Sequence, residues 1–179
     1  MGDAQPDVWL RGPVPGVPPV LMPVAHALLQ TVEDVERATE GLSIEELWAR
    51  PGGAAAIGFH LKHLAGATDR LFTYARGEPL SEAQRAALAA EREPADPPEN
   101  AAALLAAFRA VVERAIDQLR RTPDSSLAER RTIGRAALPT TVVGLLVHAA
   151  EHAQRHAGQV VTTAKIVRAG VKVQPASPP

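Results

Sequence analysis

The chain contains no cysteine. That absence removes disulfides, thiolate metal sites and cysteine nucleophiles, so metal or acid–base chemistry must be built from histidine, carboxylate and water. Aromatic residues are scarce, at 3%, which leaves few platforms on which the bases of a single-stranded nucleic acid could stack. Nor is there an excess of charge: 19 basic residues face 20 acidic ones, and the basic ones are scattered rather than gathered into a stripe. No nucleic-acid partner and no tight binding to an anionic membrane are expected. No apolar run approaches the roughly 20 residues needed to cross a bilayer. The N-terminus has neither a basic leader nor an apolar core segment, so a cytoplasmic location is expected. No convincing period-two alternation marks a strand, and no segment repeats.

What is present is helix. The 179 residues, 46% of them hydrophobic, suffice for one globular core. Residues 1–22 are too rich in proline for helix and read as an extended arm, packed through Trp9, Val14 and Val17. From Pro23, apolar residues recur at three- and four-residue steps to Leu42, with Gly41 as a stop. Ser43 and Glu46 form a capping box for a short helix ending before Pro51. A second long helix is expected over 54–75, with Ile57, Leu61, Leu64, Thr68, Leu71 and Ala75 as its stripe. Ser81 and Gln84 open a short connecting helix that dissolves in the polar, proline-broken stretch 91–98. Asp96-Pro-Pro-Glu99 then reads as the start of a third long helix, with Leu105, Phe108, Val112, Ala115 and Leu119 inward. After a loop carrying Arg130, Arg131 and Arg135, a threonine in Pro139-Thr-Thr141 caps a fourth long helix running towards Gly170. The pattern predicts an all-α four-helix bundle over 23–170, with long connections carrying short helices and a flexible tail over 171–179.

Half of the six histidines stand on the fourth helix, as His148, His152 and His156. Residues four apart share a helix face, so two such imidazoles can grip one ion. Three cannot, because His148 and His156 are about 12 Å apart along the axis and Zn–N bonds span roughly 2.0–2.1 Å. The seam Val142, Leu145, Ala149, His152, His156, Gln159, Thr163, Ile166 places His152 and His156 inward and His148 on the flank. Burying an imidazole costs on the order of 1–3 kcal/mol unless it finds a hydrogen bond or a metal. The second helix must supply a further ligand. Both His60 and His63 lie beside its stripe, and spacing does not choose between them; His26 lies beside the stripe of the first helix. Three imidazoles and a water would leave an open coordination position. The arginines before the fourth helix are expected first of all as a solvated loop; the alternative is that they hold an acidic substrate.

The segments Ile57-Gly-Phe-His-Leu-Lys-His-Leu-Ala-Gly66 and His148-Ala-Ala-Glu-His-Ala-Gln-Arg-His-Ala-Gly-Gln159, with Leu42-Ser-Ile-Glu-Glu-Leu-Trp-Ala-Arg-Pro-Gly-Gly53 between the first two helices, resemble the DinB-like, or YfiT-like, metal-dependent hydrolases and thiol transferases. The resemblance extends from Val20 to Ala169. It implies a four-helix bundle, often homodimeric, with a nickel or zinc ion held by one histidine of the second helix and an H-x3-H pair of the last. On this pattern His63, His152 and His156 are the ligands. Gln159, His60, His26 and His148 are left as groups that support the ligands or replace one of them. The implied substrate is a small molecule, and a low-molecular-weight thiol such as bacillithiol or mycothiol is a candidate. The rival expectation is a non-catalytic bundle, metal-stabilised or a dimeric stress-related module, in which His60 or His26 closes the coordination shell.

Overall fold

A computed structural model describes residues 5–170; the tail expected over 171–179 and the first four residues of the arm lie outside the described residues. Four long helices are arranged in a ring. They are α1 (Met22–Thr39), α3 (Ile57–Ala75), α5 (Ala101–Arg121) and α6 (Val142–Arg168), with the short α2 (Ile44–Trp48) and α4 (Glu82–Ala90) in the connections. Within the ring, α6 packs on α1 and α3, and α5 closes it against the same two helices. The core is aliphatic, with Phe108, Leu28, Leu61, Leu64, Leu119, Leu146 and Val160 fully buried. At about 1.5–3 kcal/mol for each large side chain removed from water, this is the main term favouring the bundle. Among the described residues, no helix is long and apolar enough to cross a membrane.

Both capping boxes form. Ser43 Oγ accepts from the Glu46 N–H at 3.1 Å and Ser81 Oγ from the Gln84 N–H at 3.1 Å, with each glutamate or glutamine returning the bond. Thr141 caps α6 by accepting from the Gly144 N–H at 3.1 Å. Five expectations need correction. The helix α3 starts at Ile57 rather than residue 54, because Ala56 is extended. The helix α5 is capped by Asn100, whose side-chain oxygen accepts from the Ala103 N–H at 2.9 Å, rather than by Asp96. The Glu99 carboxylate is instead drawn to Lys62 and to the Ala95 N–H, each at 2.9 Å, so the chain turns into helix only after it.

The arm is not fully extended: it makes a 3-10 turn at Val8–Leu10, which buries Val8 and leaves Trp9 63% exposed. Val17 packs as expected. Finally, the loop before α6 is an antiparallel hairpin of β1 (Arg130–Ile133) and β2 (Leu138–Thr141), with Arg130 opposite Thr141. Its four-residue strands are too short to display an alternating pattern.

The buried face of α6 also departs from the heptad seam at its C-terminal end. Val160 and Ala164 are buried there, whereas Gln159 and Ile166 are exposed. A straight helix turns 3.6 residues per turn rather than 3.5. Val160, 18 residues on, therefore shares a face with Val142, while Gln159 is about 100° round.

Where α2 crosses α3, Gly58 leaves room for the Trp48 ring. A Cβ at that position would stand 2.7 Å from two of its carbons. The indole is pinned, since its Nε1 donates to the Glu99 carbonyl at 3.1 Å. Gly58→Ala is expected to cost about 1–3 kcal/mol, read as a lower denaturation midpoint in urea with an unchanged slope.

Candidate metal centre

The helix α3 projects His60 and His63 towards α6, which answers with His152 and His156. His63, His152 and His156 each offer one ring nitrogen such that the three nitrogens lie within 4.8 Å of one another, a group that could hold a metal ion. His63 Nε2 stands 2.8 Å from His152 Nε2, and His60 Nδ1 stands 2.9 Å from His156 Nδ1. The rings of His152 and His156 are 4.6 Å apart, as are those of His63 and His156. Phe59 stacks on His63 at 5.4 Å with the planes 19° apart.

The hydrogen-bond arithmetic of this cluster does not close with protein atoms alone. On the far side of His63, Nδ1 lies 2.7 Å from the Glu91 carboxylate, which can only accept. The His63 proton therefore lies on Nδ1, and in the neutral ring Nε2 carries a lone pair. If His152 donates from Nε2 to that lone pair, its Nδ1 is an unused acceptor; if its proton is on Nδ1, two lone pairs face each other. Either way His152 Nδ1 is buried without a partner. A cation between the lone pairs removes their repulsion in the second case, while the His152 Nδ1–H stays without a protein acceptor; an all-imidazole donor set suits zinc, nickel, copper or iron.

The remaining histidines are elsewhere or in other roles. His26 Nε2 lies 3.0 Å from the Gly12 carbonyl, tying the arm to α1. His148 is exposed and pairs with Glu151 at 3.2 Å. His60 is 5% exposed and touches the cluster through His156. Gln159 points to solvent, so it does not support the ligands. Arg130, Arg131 and Arg135 are not brought to the histidines. With Arg85 they line a cavity of about 1040 Å³ that also includes Tyr74 and Gly77. Tyr74 lies eleven residues beyond His63, about 16 Å along α3. Arg131 is committed to the fold, donating to the Ala75 carbonyl at 2.8 Å and to Glu129 at 2.9 Å.

A match to the DinB superfamily covers residues 27–160. The chain belongs to the DinB superfamily. A crystal structure of a conserved protein from Enterococcus faecalis has the same fold as this DinB protein, with a TM-score of 0.67 at 17% identity over 82% of this chain and 95% of that one. No curated protein matches the sequence.

Glu91 carried no signal of its own in the sequence, where it opens a polar, proline-broken stretch. In this DinB protein it is 4% exposed and ends α4 directly over α3, where Arg70 Nη1 donates to its second oxygen at 2.6 Å. Burial pushes its carboxyl up, but the bonds from His63 and Arg70 outweigh that and hold it below the usual carboxylate range. Burial, together with repulsion from His63, pushes His60, His152 and His156 down to about 4. At neutral pH these rings are neutral, with lone pairs free to ligate.

The sign of the linkage follows. An unfolded histidine takes a proton near pH 6.5, whereas these three stay neutral in the folded chain until about 4. Their contribution is complete above pH 6.5 and is lost as the pH falls towards 4. Urea midpoints of the metal-stripped protein are therefore expected to fall steadily across that window and to be flat just above it. The slope should lessen when His152 is replaced.

Proposed function

We propose that His63, His152 and His156 hold a divalent transition-metal ion, zinc or nickel, with one coordination position left to water or substrate. On this reading the protein is a metal-dependent enzyme of the hydrolase or low-molecular-weight thiol S-transferase type. The carrying observation is the convergence of three ring nitrogens within 4.8 Å, with no fourth side chain in the group among the described residues. A closed shell, as a purely structural site would have, needs His60 or His26. His26 is engaged by the arm and His60 by His156, which favours the open site.

A cation in this place supplies Lewis acidity to a water, thiol or carbonyl oxygen. The protein's own part is to keep His152 and His156 neutral, to orient His63 through Glu91 and to shield it with the Phe59 ring. Phe59 also borders a cavity of about 210 Å³ lined by Arg50, Ala54, Ala56, Arg92 and Glu93, and we assign the approach of a small-molecule substrate to that side. Arg50 is paired there with Glu93 at 2.8 Å, so it is the charge of Arg92 that suits a substrate carrying negative charge. A cytoplasmic homodimer is part of the same proposal, by likeness to the DinB-like enzymes.

The test is metal uptake. Wild-type protein is expected to bind about one equivalent of zinc or nickel per chain. At a hundredfold excess over Kd the metal stabilises by about 2.7 kcal/mol, which raises Tm by roughly 5–10 °C for a chain of this size. His152→Ala should bind no stoichiometric metal and show no shift. Absence of both uptake and shift in the wild type contradicts the proposal, and a thiol-transfer and hydrolysis screen of the loaded protein separates an enzyme from a metal-stabilised binding module.

A further inference from the structure

We infer that Glu91 is a positioning residue that fixes His63 in the tautomer whose Nε2 lone pair faces His152 and His156, and that Gly66 is glycine in order to admit it. The metal-affinity part of this inference rests on the proposed metal centre; the tautomer part does not.

Glu91 is nearly inaccessible to water, at 4% exposure, and both oxygens are used: Arg70 donates to one at 2.6 Å and His63 Nδ1 meets the other at 2.7 Å. A buried carboxylate serving only as a counter-ion for Arg70 could leave its second oxygen to any donor. Here it is spent on the one imidazole nitrogen that faces away from the cluster. A carboxylate behind a ligating histidine orients the ring and fixes which nitrogen carries the lone pair.

The sequence of α3 bears a separate mark of the same arrangement. Gly66 sits in the middle of a nineteen-residue helix, where glycine is disfavoured by its backbone entropy. His63, Gly66 and Arg70 are spaced three and four apart and share one face. A Cβ on Gly66 would clash with Glu91 Oε1 and stand 2.6 Å from Arg70 Nη1. Any larger residue would displace the Glu91–Arg70 pair from His63, and both displaced atoms are ends of long side chains, so the helix itself would tolerate the change.

Glu91→Gln gives the discriminating result. Arg70 can only donate, so it takes the amide oxygen and leaves the amide NH2 facing His63 Nδ1. His63 must then carry its proton on Nε2, towards His152. In long-range proton–nitrogen NMR of the metal-stripped protein, His63 is expected to be protonated at Nδ1 in the wild type and to shift towards Nε2 in Glu91→Gln. Zinc affinity, from chelator competition, is expected to fall 10–100-fold in that variant. Gly66→Ala should lose affinity in the same direction with helix content retained, and it serves as the second probe if Glu91→Gln folds poorly. A wild-type His63 protonated at Nε2, or unchanged tautomer and affinity in the variants with only thermal stability reduced, would overturn the assignment. A wild type that takes up no zinc would instead count against the metal centre, with the tautomer result still judging Glu91.

Discussion

An imidazole packed into an apolar helix seam must bond to something, and the layout around α3 and α6 follows from that demand. The two helices pack against each other along much of their length, and in most of that contact leucine, alanine and valine meet. In one stretch they are replaced by His60 and His63 on one side and His152 and His156 on the other. Each ring finds a neighbour, yet the available protons leave His152 Nδ1 unmatched. Neutral rings with converging lone pairs are costly as a bare protein core and well suited as a ligand set.

The connections between helices serve this cluster. The segment after α4 is drawn onto α2, α3 and the link between them by a series of bonds: Arg50 to the Arg92 carbonyl, Lys62 to the Glu93 carbonyl and to Glu99, and Trp48 to the Glu99 carbonyl. That anchoring places Glu91 over His63. The short α4 has no buried residue of its own, so its contribution lies in its ends: Ser81 caps it, Gln84 ties it to Asp69 and Thr73, and Glu91 follows it. A connection that looks like a loose link in the chain thus reaches the centre of the molecule.

Much of this was legible before any coordinates. Helical periodicity gave the four long helices and two capping boxes the short ones between them, and the rise per residue together with the seam register restricted the ladder His148, His152, His156 to the pair His152 and His156. The choice of His63 over His60 came from family resemblance alone, because both lie to one side of the same stripe. Besides two helix starts and the turn in the arm, three things escaped. A strict heptad seam carried Gln159 inward, whereas the true helical repeat turns it out. The hairpin of β1 and β2 is too short to show its period. Glu91 was hidden because its significance depends on Arg70 and Gly66 two dozen residues away. The face His63, Gly66, Arg70, polar and small in the midst of a core helix, was the available clue.

The central claim is that three histidines from two helices converge on one cation. It is tested most directly by anomalous diffraction from crystals of the zinc-loaded protein, collected at the zinc edge. A single peak is expected at roughly 2.0–2.1 Å from one ring nitrogen each of His63, His152 and His156, with no further protein donor at bonding distance. An absent peak at the triad, or a peak whose shell is completed by His60 or His26, would contradict it.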